Sequence, residues 1–384
     1  MQRRNVLRAA VVGTGSVAFG FTMTRSSFAA YPVQTGPSPY GPLQSADANG
    51  VLLPQGFSSR VVARSSQTVP GTSYTWHGAP DGGACFADGD GWIYTSNSEL
   101  PSGNGGVSSL RFDSTGTVVD AYRTLSGTRS NCAGGATPWN TWISCEEVDR
   151  GYVYETDPFG VDAAVQRPAM GRFKHEAAAC DAERGVVYLT EDVSDGAFYR
   201  FKPTTWGNLA SGQLQVLTES GGALTWKNVP DPDGSPTATR YQVANTKRFN
   251  GGEGCYYADG VCFFTTKGDN RVWAYDAVNH TIAIAYDDNL TSSAPLTGVD
   301  NITGATAGGD LFVAEDGGNM EICIITPDDI VAPFLRLSGH GSSEICGPAF
   351  NPAGDRLYFS SQRGTTGSSS GGMTFEVTGP FRAL

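Results

Sequence analysis

The sequence predicts an all-β fold, a six-bladed β-propeller with a metal site on its axis. Three observations carry this expectation: a composition rich in tight turns, a hairpin unit that recurs six times, and a polar donor at a comparable place in each unit. Gly (50) and Pro (21) are abundant while charged residues are only 17% of the 384, which disfavours helical bundles and coiled coils. The 39% hydrophobic and 11% aromatic content supports a full core and excludes disorder.

The elements follow in chain order. Residues 1–29 read as a targeting segment outside the fold: Arg3 and Arg4, followed by Asn5, Val6, Leu7 and Arg8, resemble a twin-arginine export motif. An apolar stretch from Ala9 to Met23 comes next, too short to span a bilayer, and Ser27-Phe28-Ala29 offers a small-residue cleavage site. Its removal takes away Arg3, Arg4, Arg8 and Arg25 and no acid, so the charge moves from −12 to −16. Such acidity argues against nucleic acid or an anionic membrane as partner and suits cations. The twin-arginine route carries folded chains, which suits a protein that takes up a metal before leaving the cytoplasm. Residues 30–70 read as an extended lead-in that can also supply the strand closing the ring.

Residues 71–384 hold the repeats. The first strand of each hairpin lies around Trp92, Trp142, Val186, Val261, Leu311 and Leu357, at intervals of 50, 44, 75, 50 and 46 residues. That is the period of a propeller blade, and a β-sandwich gives no reason for it. The 75-residue interval implies an insertion at about 204–246. Eight dispersed cysteines without a CxxC pair indicate neither a disulfide framework nor a zinc knuckle, and Cys262 and Cys323 read as buried apolar residues.

The segment before each first strand should form the innermost strand, facing the channel. These segments contain Asp81, Asn131 and Cys132, His175 and Glu176, Glu253, Asp300 and Asn301, and Glu344. So many donors around one channel cannot all be bare anions, and a bound cation resolves the repulsion. Oxygen donors favour Ca²⁺, whereas Cys132 would favour a transition metal. A second layer of acids follows the first strands, at Glu146-Glu147, Glu191-Asp192 and Glu315-Asp316. His175 reads as a packing or orienting residue, and His77, His280 and His340 have no assigned role.

Asn131-Cys132-Ala133-Gly134-Gly135-Ala136-Thr137-Pro138-Trp139, running into Thr141-Trp142-Ile143-Ser144-Cys145-Glu146-Glu147, is similar to a motif of the PhoX-type alkaline phosphatases. Gly171-Arg172-Phe173-Lys174-His175-Glu176-Ala177 and Tyr188-Leu189-Thr190-Glu191-Asp192 resemble two further stretches of that family. The resemblance implies a secreted or periplasmic phosphomonoesterase, here a short member, acting on a small phosphorylated substrate. It further implies a cluster of Ca²⁺ and two Fe³⁺ bridged by an oxo group, with Cys132 as thiolate ligand and Glu147, Glu176 and Glu253 as carboxylate ligands. Asn131, Asp300, Asn301 and Glu344 are additional candidate ligands, and the catalytic residues remain unassigned. The family carries an Arg-Pro-Glu stretch ending at the position of Glu253, its Arg contacting phosphate, where this chain has Gly251-Gly252; the nearby Arg248 is the candidate phosphate-binding cation. A monomer is expected, free of the membrane after cleavage. Two alternatives stand beside the phosphatase: a metal-stabilised binding module without catalysis, and a calcium-dependent lactonase, to which Val299-Asp300-Asn301-Ile302 bears some likeness.

Overall fold

Each repeat folds into an antiparallel sheet whose first strand faces the centre. A computed structural model describes residues 34–290, 292–305 and 309–382; the export segment at 1–29 lies outside them. Blade 1 comprises Pro80–Asp88, Gly91–Ser98, Gly105–Phe112 and Val118–Thr128. Blade 2 comprises Asn131–Ala136, Trp142–Glu146, Val153–Thr156 and Val165–Gln166. Blade 4 is Gly252–Ala258, Val261–Thr266, Arg271–Asp276 and Thr281–Asp287. Blade 5 is Val299–Gly304, Leu311–Glu315, Glu321–Ile325 and Ile330–Leu337, with Gln34–Thr35 and Val51–Leu52 added to its outer strand.

Blade 3 carries the long interval. After His175–Asp181 and Val186–Glu191 its next strands lengthen to Gly196–Thr205 and Asn208–Ser220, and Ala223–Asn228 is added. Blade 6 is built from both ends of the described chain: Ile345–Phe350, Arg356–Ser361 and Met373–Thr378 are completed by Ser58–Arg64, which pairs antiparallel with Met373–Thr378. The six innermost strands touch in a closed circuit, so the fold expected from the repeat is the fold observed.

Adjacent blades pack face to face, which is why the second strands are aromatic and β-branched on both sides. Phe198 of blade 3 stacks on Phe264 of blade 4 with centroids 4.3 Å apart, and Tyr94 of blade 1 on Tyr358 of blade 6 at 5.1 Å. The Trp92 indole donates to the Tyr358 hydroxyl at 3.0 Å, satisfying a polar group inside the seam. Cys262 and Cys323 are fully buried in these layers, and all eight cysteines are thiols.

Candidate metal centre

Every innermost strand is interrupted by a β-bulge near its start, opposite the end of the second strand in five blades and one pair further in for blade 6. Pairing with the second strand shifts between Pro80 and Gly83, Asn131 and Gly134, His175 and Ala178, Gly252 and Cys255, Val299 and Ile302, and Cys346 and Ala349. A bulge breaks the in-and-out alternation and re-aims a side chain. The first bulged residues are Asp81, Cys132, Glu176, Glu253, Asp300 and Gly347. The second are Gly82, Ala133, Ala177, Gly254, Asn301 and Pro348, mostly small because neighbouring backbones meet there. A Cβ on Gly82 would lie 2.5 Å from the Ala133 Cα, and one on Gly254 2.6 Å from the Asn301 Cα.

A second ring comes from the residue directly after each second strand: Glu99, Glu147, Asp192, Lys267, Asp316 and Gln362. The preceding acids, Glu146, Glu191 and Glu315, end their strands and are fully or almost fully buried. Glu146 accepts from the amides of Arg129 and Tyr152, each at 3.0 Å. Glu191 accepts from the Ala197 amide, the Tyr199 hydroxyl and Arg240 of the blade 3 insertion. Glu315 accepts from the amides of Thr297 and Glu321. In each acidic pair the first member therefore ties down a loop, and the second stands in the ring.

Together the rings gather donor atoms. Those of Cys132, Glu147 and Glu176 lie within 4.8 Å of one another, as do those of Glu176, Glu253 and Asp300, and those of Asp81, Glu99 and Glu344. The Cys132 thiol donates to Glu176 Oε1 at 3.3 Å, while Glu176 Oε2 is buried without a partner. Three cations face these acids. Lys174 Nζ lies 2.9 Å from Glu147 Oε1 and 2.7 Å from Asp192 Oδ2. Lys267 Nζ lies 2.6 Å from Glu253 Oε1, an ion pair out of hydrogen-bond alignment, and 3.1 Å from the same Asp192 oxygen. Arg363 pairs with Glu344 at 3.3 Å, and Gln362 donates to Asp81 and Glu99.

The carboxyls outnumber these cations, and their acidities show it. Burial pushes Glu176 well above the usual carboxylate range, and the charges of Glu253, Glu147 and Asp300 add to the effect. Burial likewise raises Glu253, Asp300, Asp81 and Glu344. Glu147 is pushed up to about 7 by burial and by sharing a hydrogen bond with Asp192. Burial opposes ionisation of Asp192 too, but the Glu147 hydrogen bond and the two lysines outweigh it and hold Asp192 at about 2. The Cys132 thiol is raised by burial among these acids. Without a bound cation, protons must neutralise part of this site.

The family model described as alkaline phosphatase PhoX matches residues 95–150 and 148–274. Over this stretch, just under half of its length, the chain is similar to the PhoX family. Its fold is similar to Pseudomonas fluorescens PhoX in complex with vanadate, a transition state analogue, with a TM-score of 0.71 and 16% identity over 92% of this chain and 98% of that one. A protein of unknown function from Bacteroides thetaiotaomicron is similar at a TM-score of 0.51 and 9% identity, covering 84% of this chain and 76% of its own. The gluconolactonase XC5397 from Xanthomonas campestris gives 0.49 and 14% identity, covering 93% and 99%. No protein with a curated description matches.

The PhoX-like stretch holds Glu99, Cys132, Glu147, Lys174, Glu176, Asp192, Glu253 and Lys267, while Asp81, Asp300, Glu344 and Arg363 lie outside it. The residues singled out in the sequence separate into two sets. Cys132, Glu147, Glu176, Glu253, Asp300 and Glu344 enter the donor groups. Asn131 and Asn301 are committed to the protein: Asn131 accepts from Thr128 and donates to Ser144 Oγ at 2.9 Å, and Asn301 donates to Asp300 and accepts from the Gly347 amide. His175 is buried against Phe173 with centroids 3.6 Å apart, and burial lowers it to about 4. Arg248 donates to the Asp195 carbonyl and lies over the Tyr241 ring. The cations on the acids are instead Lys174, Lys267 and Arg363, which sequence reasoning missed together with Glu99 and Gln362. Counting from the end of each second strand would have found Glu99, Lys267 and Gln362. Gly251 has a φ of +71°, where an arginine would be strained, and a Cβ there would lie 3.2 Å from Asp192 Oδ1 and 3.3 Å from Lys267 Cγ.

Proposed function

We propose that this chain is an exported, metal-dependent phosphomonoesterase acting on a small phosphorylated substrate, with its centre on the propeller axis. The observation that carries the reading is the set of equivalent bulges that turn Asp81, Cys132, Glu176, Glu253 and Asp300 into one buried site. The donors fit metal ions. They combine a thiol with many carboxylates, and Glu176 Oε2 is buried with nothing bound to it. Cys132, Glu147 and Glu176 would hold iron, and Glu147, Glu176, Glu253 and Asp300 would hold calcium; Asp81, Glu99 and Glu344 form a further group of hard oxygen donors. Ions held there supply Lewis-acid stabilisation to a phosphoryl group.

The protein's own contribution is positional. Bulges on six rigid strands fix the donors, and the buried acids Glu146, Glu191 and Glu315 fix the loops that carry the second ring. Lys174, Lys267 and Arg363 add positive charge at the acids, where a phosphate dianion requires it. The twin-arginine motif at Arg3-Arg4 supports export, and among the described residues no helix is long and apolar enough to cross a membrane.

Protein purified through its own export route should contain iron and calcium by elemental analysis. It should hydrolyse an aryl phosphate at alkaline pH, and Glu253→Gln should lower that rate about 100-fold or more, beyond the range typical of outer-shell partners. Metal-loaded wild type that turns over no phosphomonoester would return the site to a metal-stabilised binding module.

A further inference from the structure

Of the six second-ring positions, five carry an acid or an amide, and blade 4 alone carries a cation, Lys267. Its ammonium group meets that of Lys174 on a single atom, Asp192 Oδ2, at 3.1 and 2.7 Å. Two like charges converge on one point only where an anion holds them, and here the anion is one oxygen of a carboxylate. Each lysine also leans on an acid of the donor groups, Lys267 on Glu253 and Lys174 on Glu147. About a third of each lysine side chain remains exposed, 37% for Lys267 and 33% for Lys174, so both are open to a solute from solvent.

These contacts compete with metal ions. Glu253 and Glu147 cannot give the same oxygens both to an ammonium group and to a cation, whereas Asp192 belongs to none of the three close donor groups. We propose that Lys174 and Lys267 form a clamp that changes partners: when cations occupy the donors, the ammonium groups leave Glu147 and Glu253 and take oxygens of the substrate's phosphoryl group, with Asp192 holding them together. This deepens the phosphomonoesterase reading and rests on it. It also explains how a chain with Gly251-Gly252 beside Glu253 presents positive charge there: the Lys267 stem packs against Gly251, its Cγ 3.3 Å from where a Cβ would stand. Because both ligands act on the same lysines, metal should strengthen phosphate binding, and phosphate should strengthen metal binding by the same factor.

The test uses the full-length processed protein, with and without iron and calcium, and inorganic phosphate as the probe. Calorimetry should give a phosphate Kd about 10- to 100-fold weaker in Lys267→Gln and in Lys174→Gln at unchanged metal content, with Lys267→Arg within a few-fold of wild type. Acetylation footprinting of the wild type, which needs no variant to fold, should find both lysines more reactive after metal loading and protected again by phosphate. Wild-type phosphate affinity in Lys267→Gln, or lysine reactivity that phosphate leaves unchanged, overturns the clamp. If turnover of an aryl phosphate persists unaltered in both glutamine variants, the phosphatase reading stands and the clamp falls. If the lysines bind phosphate in metal-loaded protein that hydrolyses no ester, the clamp stands and the phosphatase reading falls.

Discussion

Among the described residues, metal-ligand side chains gather in two regions of this propeller, one on its axis and one inside blade 5, and by proximity alone they are alike. Glu315, Glu321 and Cys323 bring donor atoms within 4.8 Å of one another and are as buried as the axial residues. Their partners differ. Glu315 accepts from two backbone amides, Glu321 accepts from Arg336 Nε at 2.7 Å, and the Cys323 thiol donates to the Pro295 carbonyl at 3.4 Å and lies 3.6 Å from Glu321. The blade 5 group is complete as protein. On the axis Glu176 keeps an unpartnered oxygen, and the acids exceed the cations placed against them. A cluster invites a metal when its polar atoms lack partners, whatever their spacing.

Substitution at the most exacting atom of each group should give the widest separation. Glu176→Gln should remove most bound iron and lower aryl-phosphate turnover about 100-fold or more, whereas Glu321→Gln should keep both and cost roughly 1–3 kcal/mol of stability, because Glu321 is buried while its partner Arg336 is half exposed. Elemental analysis and thermal melts on the same samples read both effects; equal metal loss in the two variants would erase the distinction. The thiols give the next contrast. Cys132→Ser should lose iron and any visible absorption arising from thiolate-bound ferric ion, while Cys323→Ser keeps the spectrum.

The smallest effect is one of pH. Glu147 and Glu315 both titrate at about 7 in the folded chain, above the ordinary 4.5, so the folded state binds more protons than the unfolded one. Stability of the metal-free protein should therefore fall as pH rises from about 4.5 through 7, by on the order of 1–3 kcal/mol for each group. Asp192, held at about 2, acts oppositely but only below its ordinary 3.8. Metal loading should abolish the Glu147 share and leave the Glu315 share, which Glu315→Gln then removes. Melting temperatures measured from pH 4.5 to 8 distinguish the two; a slope untouched by metal would separate Glu147 from the centre.

The same contrast shows what a linear sequence discloses. The blade period, the strand cores and the acid pairs were legible because they recur at fixed intervals. Cys132, Glu176, Glu253 and Asp300 were legible as donors before a strand, but the bulge that aims them was not, since an extra residue is visible only against its partner strand. That step separates Asn131 from Cys132: Asn131 still pairs in register with Glu146 and turns to Thr128 and Ser144. The lysines were missed because a charge two residues before Glu176, or after an apolar strand, reads as solvated until the ring brings it beside an acid.

The closing strand of blade 6 has a consequence for the order of events in the life of the chain. Arg60 reaches Glu376 across 316 positions, so the circle is complete only when both have been synthesised. A chain that has emerged only as far as blade 5 already possesses Asp81, Cys132, Glu176, Glu253 and Asp300, yet it lacks Glu344 and the blade that presses the first against the last. On the proposed reading metal uptake waits for the finished molecule, and a ribosome-bound intermediate ending before Glu344 should retain no ion. The site is assembled as a keystone sets an arch, by the piece that arrives last.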